Sequence, residues 1–165
     1  MKNQTGRILV VDDSENNLLF VTEALKVEGY TVANAHDGVD ALDMFEKYQP
    51  DLVVTDLLMP RLSGFVVCQR IKQNPRTQSI PVIAMSGLTD LSDKVRALEL
   101  GADCFIYKPI DNLELTVAVR TLLRAHRCQV CLDQLKREAT TSKQEITRAI
   151  QQLDQPLFRA GRDQT

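Results

Sequence analysis

No stretch of this chain approaches the roughly 18 consecutive apolar residues that a membrane-spanning helix needs. Its opening, Met1 to Gly6, is polar rather than signal-like, so a cytosolic location with no membrane partner is expected. An excess of one charge is missing as well. The 20 basic and 22 acidic residues leave a net charge of -2, which gives no general attraction for a polyanion, and direct binding to nucleic acid is not expected. Tryptophan is absent, and the only histidines, His36 and His126, have no partners at metal-ligand spacing and read as surface residues. Cysteine is sparse. Cys68, Cys104, Cys128 and Cys131 are scattered through apolar or helical patterns, which suits reduced thiols better than a disulfide framework. Cys128 and Cys131 form a lone Cys-x-x-Cys on an expected helix and read as packing.

What is present is an ordinary globular composition. Apolar residues make up 44% and charged residues 25% of 165, enough for one domain of roughly 100 to 150 residues and an extra segment. Apolar runs rich in β-branched residues at Ile8 to Val11, Thr31 to Ala35, Leu52 to Thr55, Val82 to Met85 and Cys104 to Tyr107 read as five strands. Between them, apolar residues fall at helical spacing: Leu18, Leu19, Val21, Thr22 and Leu25; Val39, Leu42, Met44 and Phe45; Val66, Val67 and Ile71; Val95, Leu98 and Leu100. Five alternations of strand and helix predict an α/β fold, a parallel sheet with helices on both faces. Gly29, Pro50, Pro81 and Gly101 each stand shortly before a strand, where a helix must stop. Asp111 and Glu114 have the spacing of a capping pair and open a last helix. The expected division is a domain over 1–127 and a helical extension with a frayed tail over 128–165.

Polar groups stand at the carboxyl ends of the apolar runs: Asp12 and Asp13, Asp56, Ser86 and Lys108. In open parallel sheets that edge binds ligands. Alone, the acid pair reads equally as a turn or cap, Ser86 as a loop serine and Lys108 as a solvated cation; their shared edge sets them apart. Three carboxylates gathered there raise one another's pKa unless a cation lies among them. A hard divalent ion is implied, and Mg2+ fits, since it takes oxygen ligands and usually keeps waters alongside one or two carboxylates. With such an ion, Asp56 can act as a nucleophile on phosphorus, Lys108 can neutralise charge on the transferring oxygens, and Ser86 can hydrogen-bond one of them.

At these residues the sequence resembles the response-regulator receiver domains. Ile8-Leu9-Val10-Val11-Asp12-Asp13 is similar to the family's first strand and acid pair, and Asp56-Leu57-Leu58-Met59-Pro60 with Gly64 to its phosphorylation strand and loop. Ser86 falls at the family's hydroxyl position, and Tyr107-Lys108-Pro109 is similar to its switch aromatic, lysine and proline. The resemblance covers about residues 6 to 127. It implies the flavodoxin-like strand order 2-1-3-4-5 and a phosphoryl group passed to Asp56 from a histidine kinase or phosphotransfer protein. It further implies metal ligation by Asp13, Asp56 and the Leu58 carbonyl, with Asp12 acting largely through a water, and a cis bond before Pro109. Ser86 and Tyr107 would form the switch, altering the face made by helix 4, strand 5 and helix 5. Departures are serine for the commoner threonine at 86, Gly87 for alanine, and the apolar Leu58, which with Leu88 borders the water approach. An enzyme of the haloacid-dehalogenase kind would carry Asp-x-Asp where Asp12 and Asp13 are adjacent, so turnover of an external substrate is not expected. Nor is a receiver-like module that is never phosphorylated, given the complete acidic, hydroxyl and lysine set.

Beyond Cys128, Leu132, Leu135, Ala139, Ser142, Ile146, Ala149 and Leu153 keep alternating spacings of four and three, the register of a coiled-coil seam. One long helix to Asp154 is the favoured reading, ending in a frayed tail at Pro156. The alternative is a break near Thr140 with a short helix capped by Ser142 and Glu145. Expected partners are a kinase or phosphotransfer protein, and a second copy through the helix 4 to helix 5 face or the extension. The alternative reading is the amino-terminal part of a longer regulator, such as a cyclic-dinucleotide enzyme or a hybrid kinase.

Overall fold

The computed structural model of the protein describes residues 6–87 and 91–153. The expectations placed on Leu88 and on the tail at Pro156 lie outside the described residues. Five strands, β1 (Arg7–Val11), β2 (Thr31–Ala35), β3 (Leu52–Asp56), β4 (Val82–Ser86) and β5 (Cys104–Tyr107), alternate with α1 (Glu15–Val27), α2 (Gly38–Tyr48), α3 (Gly64–Gln73), α4 (Leu91–Glu99) and α5 (Asn112–Leu153). All strand pairs are parallel, in the order β2-β1-β3-β4-β5. The expected five strands are all present, and β3 and β4 each run one residue further than their apolar runs, taking in Asp56 and Ser86.

The alternation of side chains along each strand sorts the core into two layers. Ile8, Val10, Leu52, Val54, Ile83, Met85 and Ile106 pack with Leu18, Val21 and Leu25 of α1 and Leu115, Val119 and Leu123 of α5. Leu9, Val11, Val53, Val82 and Ala84 pack on the other face with Ala41 of α2, Phe65, Val67, Cys68 and Ile71 of α3, and Ala97 of α4. Each fully buried Leu, Ile or Val contributes roughly 1.5–3 kcal/mol relative to exposure, so the central strands β1, β3 and β4, buried throughout their apolar lengths, anchor the domain.

Local chemistry sets the helix ends. Ser14 caps α1 by accepting from the Asn17 N–H, and Asp37 caps α2 by accepting from Val39 and Asp40. Asp111 accepts from the Glu114 N–H at 2.8 Å, the cap expected for α5. The Lys108–Pro109 peptide bond is cis, as expected.

Three expectations need correction. Leu19 is exposed on α1, and α4 turns Val95 and Leu98 outward, burying Ala97; helical spacing marks an apolar stripe without saying that a partner covers it. His126 is half-buried rather than on the surface, and its Nδ1 is a buried atom without a hydrogen-bond partner among the described residues. Cys128 and Cys131, read as packing, are exposed instead. The favoured single long helix holds, with no break near Thr140. Thr140, Thr141 and Thr147 donate their hydroxyls to the carbonyls of Lys136, Arg137 and Lys143, four residues back, which keeps them inside one helix. The chain divides into two compact units, Met1–His126 and Arg127–Thr165.

Candidate functional site

Sheet register assembles the site. Val11 pairs with Thr55, Asp56 with Met85 and Ser86 with Tyr107, so Asp12, Asp56, Ser86 and Lys108 leave four neighbouring strands at one edge. Carboxylate oxygens of Asp12, Asp13 and Asp56 all lie within 4.8 Å of one another. Lys108 reaches back over this edge and donates from Nζ to Asp12 Oδ2 at 2.7 Å and to Asp56 Oδ2 at 2.9 Å. Its own backbone N–H bonds the Ser86 carbonyl at 2.9 Å. Ser86 is fully buried, whereas Asp13 is exposed.

The two acids at the end of β1 are held differently. Asp12, at 0% exposure, accepts from the Ser14 N–H at 2.9 Å and from the Asn17 side-chain amide at 3.2 Å, besides Lys108. Those donors come from the first turn of α1, so the helix itself fixes this carboxylate. Asn17 escaped the sequence reading. Its signal was its place one turn into a helix that opens directly after the acid pair, three residues beyond the Ser14 cap.

Burial pushes the Asp56 carboxyl above the usual carboxylate range, outweighing the hydrogen bond and charge of Lys108, and the neighbouring Asp12 charge pushes the same way. Burial works to lower the Lys108 ammonium, but the hydrogen bonds and charges of Asp12 and Asp56 prevail and hold it above its ordinary value. One cation is thus shared between two buried carboxylates that repel each other. An additional positive charge among these oxygens would relieve that repulsion, and an all-oxygen donor set suits a hard divalent ion.

The loop after β3 is built tightly around Asp56. The Leu58 N–H faces Asp56 Oδ1 at 3.4 Å, and the Thr55 hydroxyl donates to the Asp56 carbonyl at 2.9 Å. At Gly64 an added Cβ would collide with the Asp56 carbonyl. Arg61 takes a positive φ of 66° and pairs with Asp37 Oδ2 at 2.7 Å, tying this loop to the start of α2. Tyr107 is 37% exposed, stacked edge-on to Phe105 with centroids 5.0 Å apart and covered by the Lys94 ammonium at 5.4 Å. Leu58, at 49%, stands exposed beside the acids.

Residues 8–120 match the response regulator receiver domain family. The chain belongs to that family. Receiver domains act as switches in two-component signalling, and this one is 40% identical over 137 residues to the response regulator PleD of Caulobacter vibrioides, covering 82% of this chain and 30% of PleD. It is 39% identical over 118 residues to the DNA-binding dual master transcriptional regulator RpaA of a Synechocystis species, covering 72% of this chain and 49% of RpaA. The chain thus spans no more than about half the length of these relatives. Among solved structures, a putative response regulator from Chloroflexus aurantiacus superposes with a TM-score of 0.70 at 30% identity, covering 73% of this chain and 99% of that one. The receiver domain of a histidine kinase from Syntrophus aciditrophicus gives 0.69 at 37% identity, covering 73% and 91%. The receiver fold, with strand order 2-1-3-4-5, is common to them.

Proposed function

We propose that this receiver domain accepts a phosphoryl group on Asp56 from a phosphohistidine of a histidine kinase or phosphotransfer protein and thereby switches a protein-binding surface. The observation that carries the reading is the pairing of the Lys108 ammonium with both Asp12 and Asp56, while Asp13 contributes a third carboxylate within 4.8 Å. An Asp56 oxygen forms the new bond to phosphorus as the phosphorus–nitrogen bond breaks and its electron pair returns to the donor imidazole. Lys108 then exchanges a carboxylate oxygen for a phosphoryl oxygen, and the Ser86 hydroxyl donates to another.

Asp12, Asp13 and Asp56, with the Leu58 carbonyl, are the groups that would hold Mg2+. When bound, the ion supplies charge neutralisation on the phosphoryl oxygens. The phosphoryl group, carrying roughly -1.5 to -2 charges in place of the single charge of the Asp56 carboxylate, draws Ser86 and Lys108 toward Asp56, and Tyr107 answers by changing rotamer, so that the state of the α4, β5 and α5 face reports phosphorylation. The domain occupies 1–127 and the extension 128–165. Its output is a protein contact, including a second copy through the α4 to α5 face or the extension, with no turnover of an external substrate by this domain. A second reading is supported by the match to only 30% of PleD: the domain is the amino-terminal receiver of a longer regulator with a separate output domain.

Incubation with acetyl phosphate and magnesium, followed by intact mass measurement, should add one phosphoryl group to the wild type and none to Asp56→Ala. An equal gain on both proteins would remove Asp56 from the role. Beryllium trifluoride, a long-lived phosphoryl mimic, should bind the wild type and not Asp56→Ala, read by fluorine NMR, even where the natural adduct is brief.

A further inference from the structure

We propose that residues 128–153 of α5 pair with the same segment of a second copy as a parallel, in-register, two-stranded coiled coil. This deepens the second-copy contact through the extension named above and does not rest on phosphorylation of Asp56. The helix is continuous through Leu153, and the seam is bare in the single chain: Leu132 is 51%, Leu135 57%, Ile146 61% and Leu153 85% exposed. Spacings of four and three put Leu132, Ala139, Ile146 and Leu153 at the a positions of the heptad and Cys128, Leu135, Ser142 and Ala149 at d.

Charge selects the occupant and its direction. In this register Lys136 and Lys143 fall at e, Glu138 and Glu145 at g. In a parallel pair each g residue meets the e residue five positions on in the other helix, which brings Glu138 to Lys143 of the second copy, twice by symmetry. Reversing one helix would set g against g and e against e, glutamate facing glutamate and lysine facing lysine. On their own helix neither residue has a charged side chain three or four positions away: Glu138 is flanked by Gln134, Leu135, Thr141 and Ser142, and Lys143 by Ala139, Thr140, Ile146 and Thr147. The usual intrahelical pairing is therefore closed to them. A second copy supplies the missing partner for both.

The register also gives the cysteines different fates. Cys128 at d faces its own counterpart across the seam, whereas Cys131 falls at g, on the flank. Both are exposed in the single chain.

Sedimentation velocity of the full chain without phosphodonor, over a concentration series, should show a reversible dimer that Leu135→Asp with Ile146→Asp turns into a monomer. Glu138→Lys should lower the association constant about fivefold, the scale of an exposed ion pair lost at each side, and adding Lys143→Glu should restore it. Under diamide, which takes up the two protons and two electrons released as two thiols form one S–S bond, the Cys131→Ser chain should cross-link and the Cys128→Ser chain should not. A monomer at every concentration, a dimer indifferent to the seam substitutions, or cross-linking through Cys131 in place of Cys128 would overturn the proposal.

Discussion

Asp56 is the residue on which the site's electrostatics converge. Its carboxyl is raised above its ordinary value by burial, so the folded state holds the proton more tightly than the unfolded chain. The sign follows from linkage: the stability contributed by protonated Asp56 is present at low pH and is lost as pH rises through the folded-state value, leaving a net penalty near neutrality. Asp56→Asn removes that charge and keeps an oxygen for Lys108. In chelator-treated buffer at pH 7 its urea midpoint should therefore exceed the wild type's. Magnesium at about one hundred times its dissociation constant should then stabilise the wild type by about 2.7 kcal/mol and close the gap. A variant weaker than the wild type under chelator would show that the Lys108 pairing, not the burial of the charge, dominates. Asp12, Asp13, Asp56, Ser86 and Lys108 were legible in the sequence because each stands at the carboxyl end of an apolar run. Asn17 was not, since an asparagine in the first turn of a helix carries no mark of which side chain it will grip.

At the scale of elements, β3, its loop and α3 form a tightly fitted unit, because the backbone of Gly64 runs against the Asp56 carbonyl and the Thr55 hydroxyl. Gly64→Ala forces those groups apart. It should cost about 1 to 3 kcal/mol by overpacking, measured as a lower urea midpoint at unchanged slope, and should weaken magnesium binding, because the carboxylate moves with its backbone. Retained stability together with wild-type magnesium affinity would show that α3 can shift without moving Asp56. Strand positions were readable almost to the residue, since β-branched runs bounded by Gly or Pro leave little freedom. The covering of α4 was not. Val95 and Leu98 have the spacing of a core face yet stand outside, and periodicity cannot tell an apolar stripe that meets the sheet from one that meets a partner.

Across the whole molecule, thiols distinguish the buried from the solvent-facing parts. Burial pushes the Cys68 thiol up to about 11, so at pH 8 only about a thousandth of it is thiolate even where reagent can reach it. Cys128 and Cys131 are exposed, and Cys104 is half-buried and also raised by burial. At concentrations low enough to keep the chain monomeric, an aromatic disulfide reagent at pH 8 should modify two thiols promptly and Cys104 slowly. Cys68 should follow only as fast as the domain unfolds, its rate rising with urea as the unfolding rate does. Prompt modification of Cys68 would mean that α3 opens locally. The connection between border and centre has one further implication. Among the described residues β5 is hydrogen-bonded along one side alone, and two strands separate it from β1, yet the lysine that follows it reaches Asp12 at 2.7 Å. That side chain works as a guy line, staking the rim of the sheet to its middle, and any newcomer that claims its ammonium slackens the rim.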